Sequence, residues 1–327
     1  MITNKDLNSV LVIGGAGYIG SHIVLELCDK GYNVTVFDNL SSGKLINVDS
    51  RADFVNGSIL SEKDLKDVFK KEYSAVSHFA ALKSASESME SPEKYSKINI
   101  IGTINVLNAM LQNKVKNFIF SSSAAVYGVP QYIPVDEKHP LNPINYYGFT
   151  KLEIERYLEW YSELKGLNYA ALRYFNAAGY DFSGKIKGKE SNPANLLPIV
   201  FEVAAGIRSS MVIYGNDYKT VDGTCIRDYI HVSDLAEAHL AALEYLFNEN
   251  CNLILNLATG KGSSVLEVIN TIEEITQRNI AYSFVNRRLG DPQSLVSVSN
   301  SALDKISWEP TRSSLKDIVR SMWNIYS

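Results

Sequence analysis

Tyr147 and Lys151 stand four residues apart, and Ser121-Ser122-Ser123 is a run of hydroxyls whose last member lies 24 residues before Tyr147. On a helix that spacing places two side chains on one face, one turn from each other. An ammonium beside a phenol favours the phenolate, so the pair predicts a Tyr147 hydroxyl held below its ordinary value near 10 and usable as a base. A serine at the end of the preceding strand, Ser123, can share a hydrogen bond with the same reacting oxygen. Tyr146 offers no such chemistry, because the residue four places on is Thr150. By themselves a Tyr and a Lys at this spacing also describe an ordinary surface pair, so the reading depends on what surrounds them.

What surrounds them includes Gly14-Gly15-Ala16-Gly17-Tyr18-Ile19-Gly20, in which Gly14, Gly17 and Gly20 recur every third residue. It follows a β-branched run and precedes an amphipathic stretch. Glycines there permit a tight turn and close approach of backbone to a pyrophosphate, and the free N–H groups of the helix start attract phosphate charge. Asp38 follows Gly20 by 18 residues, at the end of the second apolar run. A carboxylate in that place accepts the ribose hydroxyls of an adenosine and repels a 2′-phosphate, so the pair of features predicts NAD in preference to NADP. The plainer alternatives are a tight turn and a loop-capping acid. A bound nicotinamide cation would lower the Tyr147 phenol further.

Positioning these residues requires alternating strands and helices. Strands are predicted at Val10–Ile13, Asn33–Asp38, Asp53–Asn56, Ala75–Phe79, Asn117–Ser121 and Leu167–Tyr174. Helices are predicted at Ser21–Lys30, Glu62–Lys71, Glu93–Asn113 and about Tyr147–Lys165. This is the pattern of right-handed βαβ crossovers, and it predicts an α/β fold, a doubly wound parallel Rossmann sheet with a smaller C-terminal α/β substrate lobe. The first lobe is expected over residues 1–178, with a returning segment near 227–260 that includes a strand at Asp228–His231, and the second over 179–327. The change of texture at Gly179–Pro193, polar and glycine-rich with Lys185, Lys187 and Lys189, marks the junction.

Composition excludes several classes. Among 327 residues, 46% hydrophobic and 21% charged describe an ordinary folded chain. A net charge of −4 gives no positive field with which to collect nucleic acid or an anionic membrane. Cys28, Cys225 and Cys251 are odd in number and widely spaced, which suggests idle thiols rather than a disulfide framework or a metal site. Without an apolar run near the ~20 residues of a membrane span or a leader-like start, the expectation is a cytoplasmic protein.

The glycine loop, the serine strand and Tyr147-x-x-x-Lys151 resemble the extended short-chain dehydrogenase/reductase superfamily, and the chain from about residue 10 to 310 resembles its UDP-glucose 4-epimerase family. The supporting stretches are Asp38-Asn39-Leu40, His78 to Lys83, Phe118 to Gly128, Leu172 to Asn176, Asn195 to Pro198 and Tyr214 to Tyr218. Asp222-Gly223-Thr224, Arg227 to His231, and Arg287-Arg288 followed by Gly290-Asp291 complete them. The resemblance implies a bound NAD that takes hydride from C4 of a UDP-hexose while Tyr147 removes the 4-OH proton, assisted by Ser123. A 4-keto sugar then turns about its pyrophosphate and is reduced from its other face, interconverting UDP-glucose and UDP-galactose.

For the cofactor, the resemblance implicates Gly14, Gly17, Tyr18, Ile19, Gly20, Asp38, Asn39, Ser58, Ile59, Phe79, Ala80, Lys83, Asn99, Lys151 and Tyr174, with Phe79, Lys83 and Asn99 on the nicotinamide side. For the UDP-sugar it implicates Lys83, Ser123, Tyr147, Asn176, Asn195, Leu196, Tyr214, Arg227, Arg288, Asp291 and Leu295. No metal is expected, and the partners expected are the UDP-sugar and a second copy of the chain in a homodimer built on the long helices. Two places depart from the family pattern. Gly57-Ser58-Ile59 has a hydroxyl where many members have the Asp that meets the adenine. Leu295 stands where members restricted to plain hexoses carry a bulky Tyr, which predicts room for UDP-N-acetylglucosamine and UDP-N-acetylgalactosamine. Ala124 and Ala125 take the places where 4,6-dehydratases of the superfamily carry an acidic pair and UDP-glucuronate decarboxylases a Glu, which disfavours elimination. A non-catalytic NAD-sensing protein of the superfamily would lack the Tyr or the Lys; both are present.

Overall fold

Apolar side chains on both faces of a short strand fit only a sheet covered on both sides, and β1 (Ser9–Ile13) is buried from Val10 onward. The computed structural model describes residues 9–190, 193–288 and 291–327, so Met1 to Asn8 and Gly290 of the sequence argument lie outside the described residues. After β1 come α1 (Tyr18–Asp29), β2 (Asn33–Asp38), β3 (Asp53–Asn56), α2 (Glu62–Val68), β4 (Ala75–His78), α3 (Ala85–Glu90) and α4 (Pro92–Tyr95). A π turn at Ser96–Ile101 joins α4 to α5 (Gly102–Gln112), followed by β5 (Asn117–Ser123), α6 (Tyr146–Lys165), β6 (Asn168–Tyr174) and β7 (Asn176–Ala178). The remainder is α7 (Leu196–Ala204), β8 (Met211–Tyr214), β9 (Ile226–His231), α8 (Val232–Glu249), β10 (Leu253–Leu257), β11 (Gly262–Ser264), α9 (Val265–Thr276), β12 (Tyr282–Val285), β13 (Ser294–Leu295), α10 (Asn300–Ile306) and α11 (Leu315–Tyr326).

Seven strands form one sheet in the order β10-β6-β5-β4-β1-β2-β3, every pair parallel. One face is covered by α1 and α8, whose Ile23, Val24, Leu27, Leu235 and Leu243 pack with Val10, Val12 and Leu255. The other is covered by α2, α5 and α6, which bring Leu65, Val106, Met110, Ile154 and Leu158 against Leu11, Phe118 and Phe120. This is the doubly wound arrangement, and it gathers the carboxyl ends of β1, β4 and β5 along one edge. A second core lies among α7, α9 and α11, around Phe201, Ile269 and Met322.

The predicted return to the first lobe is made by α8 and β10, and its strand half is corrected. β9 does not enter the large sheet; it pairs with β7, β11 and β13. The predicted helix Glu93–Asn113 carries the π turn, and α3, absent from the sequence reading, precedes it with Ser84 Oγ accepting from Glu87 N at 3.2 Å. Helix α6 is capped by Asn145, whose Oδ1 accepts from Gly148 N at 2.8 Å, and ends at Gly166 with φ +66°, where a left-handed residue stops a helix without steric cost. Cys28 and Cys225 are buried and Cys251 exposed.

Candidate active site

The glycine loop is closed by its own backbone. Gly14 has φ +79°, and a Cβ built there would lie 2.5 Å from Ala80 N, so both conformation and space demand glycine. A Cβ on Gly20 would lie 2.3 Å from Gly14 O, and Gly17 N donates to that same oxygen at 3.2 Å. Helix α1 starts from Gly17 with no side chain capping it. Asp38, at the end of β2, accepts from Ala16 N at 3.0 Å and from Leu40 N at 2.8 Å. It is therefore a loop-capping acid, and a carboxylate with about four acceptor sites retains capacity for ribose hydroxyls. A glycine cradle that a Cβ would fill, an uncapped helix start and a buried carboxylate beside them fit a dinucleotide.

The other residues assigned to the cofactor are distributed around this cradle. Tyr18 donates from its hydroxyl to Gly179 O at 2.5 Å and so ties α1 to the second lobe, while Ile19 packs onto the sheet. Asn39 Oδ1 accepts from Ser41 N at 3.1 Å. Ser58 Oγ accepts from Leu60 N at 3.2 Å, its N–H goes to Asp64 Oδ2 at 3.0 Å, and Ile59 is buried against Gly102. Phe79 N donates to Ile13 O at 2.7 Å and its ring packs on His239 at 5.1 Å, with the Ala80 backbone against Gly14. Asn99, in the π turn, is occupied by protein: its Oδ1 accepts from Leu82 N at 2.8 Å, and its Nδ2 donates to Leu82 O at 3.0 Å and Thr150 Oγ1 at 3.1 Å. It fixes the 79–83 loop to α6. Lys83 pairs with Glu190, a partner the sequence reading missed.

At the carboxyl end of β5 the Ser123 side chain neighbours the Tyr147 phenol and lowers its pKa. Lys151 is buried, and its Nζ donates to Ser121 O at 2.7 Å, lies 5.8 Å from the Tyr147 ring centroid and 4.9 Å from that of Phe120. Tyr174 is hydrogen-bonded with Ser121 Oγ and packs on His239. The expectation of a phenol held low by its neighbouring ammonium is corrected. Burial pushes the Tyr147 phenol above its ordinary value, and Ser123 pulls it back only in part. Burial likewise lowers Lys151, to about 7, against the opposing pull of Glu155. Desolvation is the largest cause for both groups, and neither group figures among the causes of the other's shift.

A cleft of about 440 Å³ is lined by Asn176, Asn195, Leu196, Tyr214, Arg227, Arg288 and Asp291, with Val212, Cys225 and Tyr229 in addition. Asn176 Nδ2 donates to Asp228 O at 2.9 Å. Asn195 is the N-cap residue of α7, and its side chain makes no capping bond. Arg227 pairs with Asp291, and the Arg288 guanidinium lies 3.8 Å from the Tyr214 ring centroid. Two arginine forks beside an aromatic plate suit a nucleoside diphosphate. Leu295 stands outside this lining; it is paired with Arg227 across β13 and β9 and packs against the cluster of Ala124, Val126, Tyr127 and Leu152. Glu155, also missed, could have been found from its spacing of eight from Tyr147, the next turn of the same face. Among the described residues no group of three or more His, Cys, Asp or Glu side chains could hold a metal ion, and no helix is long and apolar enough to cross a membrane.

Residues 10–258 match the NAD dependent epimerase/dehydratase family. The UDP-glucose 4-epimerase of Halalkalibacterium halodurans is 45% identical over 317 residues, which cover 97% of this chain and 95% of that protein. The crystal structure of the Brucella ovis UDP-glucose 4-epimerase in complex with NAD superposes with a TM-score of 0.95, at 43% identity and 98% coverage of both chains. That of the UDP-Glc/GlcNAc 4-epimerase from Campylobacter jejuni superposes with a TM-score of 0.85, at 38% identity, covering 98% of this chain and 99% of that one.

Proposed function

The chain belongs to the NAD dependent epimerase/dehydratase family, and from that premise we propose that it inverts C4 of a UDP-hexose, interconverting UDP-glucose and UDP-galactose through a 4-keto sugar. The observation that carries the reading is the meeting of Tyr147, Ser123 and Lys151 at one end of β5, on the same sheet edge as the glycine cradle. NAD, when bound, accepts the C4 hydride and returns it, and its cationic ring favours the phenolate.

The residues of the chain do the rest. Tyr147 takes the proton of the 4-OH and returns it, Ser123 shares the hydrogen bond to that oxygen, and Lys151 supplies positive charge behind the phenol. Gly14, Gly17 and Gly20 would give the pyrophosphate of a dinucleotide its backbone approach, and Asp38 would accept from the adenosine ribose. Tyr18, Ile19, Asn39, Ser58, Ile59, Phe79, Ala80 and Tyr174 would wall the cofactor, Asn99 fixes the loop that carries Lys83, and Lys83 would serve its nicotinamide end. Asn176, Asn195, Leu196, Tyr214, Arg227, Arg288 and Asp291 would hold UDP, the two arginines offering their forks to its diphosphate. Enclosure by both lobes keeps water from the ketone.

Leu295 supports a wider range that includes the N-acetylated sugars, since a side chain shorter than Tyr at that wall leaves space for an acetamido group. The same reading makes the protein a cytoplasmic homodimer. Trp160 and Leu164 of α6 and Ile101 of the adjoining π turn are each more than half exposed, an apolar face for a second copy. Light scattering at micromolar concentration tests the dimer, and a monomer would retire it. The function is tested by incubating the purified protein, with no NAD added, with each of the four UDP-sugars in turn and identifying products; no C4 epimer from any of them, with NAD supplied in a control, would overturn it.

A further inference from the structure

The face of α6 that carries Tyr147 and Lys151 continues one turn further to Glu155, which is buried. Three consecutive serines of β5 meet the three helix residues. Ser123 neighbours the Tyr147 phenol and lowers its pKa, the Ser121 carbonyl accepts from Lys151 at 2.7 Å, and Ser122 Oγ donates to Glu155 Oε1 at 2.5 Å. From β6, Arg173 donates through Nε to Oε1 at 2.9 Å and to Oε2 at 3.2 Å, and through Nη2 to Oε2 at 2.5 Å. Its Nη1 donates to the Tyr127 hydroxyl at 3.0 Å, which donates to Asn256 Oδ1 at 2.6 Å. Both members of the pair are 3% exposed at their side chains.

A buried ion pair contributes little stability that well-packed apolar residues could not equal, because desolving two charges offsets their attraction. Its place one turn from a buried catalytic ammonium gives it another use. We propose that Glu155, held in register by Ser122 and Arg173, is a positioning residue whose carboxylate keeps the buried Lys151 in its charged form, as the proposed base chemistry of Tyr147 requires.

The surroundings of Lys151 leave Glu155 as its source of negative charge. On α6 it faces Tyr147 and Glu155, from β5 come the Ser121 carbonyl and the Phe120 ring, and from β4 comes His78; on β6, Arg173 is bound to Glu155 and Tyr174 to Ser121. His78 is driven to about 3, by burial first and then by the Lys151 charge, so it stays neutral and offers no counterion. Burial lowers Lys151 to about 7 and the Glu155 carboxylate opposes that shift.

This inference rests on the reading of Tyr147 and Lys151 as the proton-handling pair. Its test is the pH dependence of kcat and KM for C4 inversion between pH 6 and 10, for the wild type, Glu155→Gln, Glu155→Asp and the double variant Glu155→Gln with Arg173→Met, each checked by circular dichroism and melting. Loss of the carboxylate is expected to move the alkaline limb of kcat down by roughly one pH unit. Turnover of Glu155→Gln at the foot of that limb then falls about 10-fold while KM stays within about twofold. Glu155→Asp retains the wild-type limb. The double variant shifts in the same direction by less, because an opposing positive charge has gone too. An unshifted limb in a folded Glu155→Gln, with only a lower melting temperature, would make the residue structural and overturn the proposal. Should Glu155→Gln not fold, an unshifted limb in the double variant overturns it equally. A wild type without C4 inversion overturns the functional reading beneath it, whereas an active wild type with unmoved variants overturns this inference alone.

Discussion

Lys151 donates its proton-bearing Nζ to the backbone carbonyl of Ser121 at 2.7 Å. That bond holds the ammonium behind the phenol of Tyr147, at 5.8 Å from its ring centroid, instead of against the hydroxyl. Of the neighbours of the phenol it is Ser123 that lowers it, against the larger opposing effect of burial.

Tyr147→Phe removes the proton acceptor and keeps the ring. Turnover of UDP-glucose should drop by at least ~10²-fold, the low end for a lost general base, while NAD and UDP-sugar affinities change little. Paired kinetic and binding titrations check this. Activity kept within a few fold would move the base to another residue.

Asp38→Ala removes the acceptor of two backbone N–H groups, those of Ala16 and Leu40, at the edge of the glycine loop. Each donor left without a partner costs about 1–3 kcal/mol, so the loop should loosen as well as lose its ribose contact. NAD binding weakens, and discrimination against NADP falls because the charge that repels a 2′-phosphate is gone. Dissociation constants for both dinucleotides provide the measurement; an unaltered NAD to NADP ratio contradicts the assigned role.

How much of this could be read from residues alone follows from the range of the forces involved. The glycine loop and the Tyr147-Lys151 spacing are local, since a tight turn and one helical turn need only neighbouring residues, and both lie where the strand-helix alternation puts them. The partners of β9 were not legible. A strand of six residues carries no label for its sheet, and its pairing with β7, β11 and β13 is decided by contacts distant in sequence. Helix α3 escaped because 84–91 is serine- and glutamate-rich without an apolar period; capping by Ser84 and burial of Ser88 hold it instead. The direction of the Tyr147 shift was misjudged for a related reason. Charge neighbours can be counted along a helix, but desolvation depends on what folds over it.

Four of the five histidines, His22, His78, His231 and His239, are buried and lowered by burial, to about 4, 3, 3 and 4 respectively. Unfolded, each titrates near 6.5. Between that value and the folded values the unfolded chain binds more protons, so stability rises with pH across this window and is lost as pH falls below about 6.5. The loss approaches ~1.4 kcal/mol per pH unit for each histidine once the unfolded ring is charged. Melting temperature measured from pH 7.5 to pH 5 should therefore decline steeply, with proton uptake on unfolding exceeding one. A flat profile over that range would show that these rings are charged, or free to charge, in the folded protein.

On the proposed reading, Leu295 is the residue that sets how large a sugar can turn in the site. It is half-buried, paired with Arg227 across β13 and β9, and packed against the cluster of Ala124, Val126, Tyr127, Val135 and Leu152, which follows Ser123 in the chain. A phenol ring in its place would occupy the space that an N-acetyl group needs. Leu295→Tyr should therefore reduce kcat/KM for UDP-N-acetylglucosamine by about 10- to 200-fold, the range for steric exclusion of a small group, and leave UDP-glucose within a few fold. The comparison is internal, since a general packing defect would lower both substrates together. Equal loss on the two sugars, or a wild type that never turns over the acetylated one, would remove Leu295 as the determinant of range and leave the wall of the sugar site to be sought elsewhere.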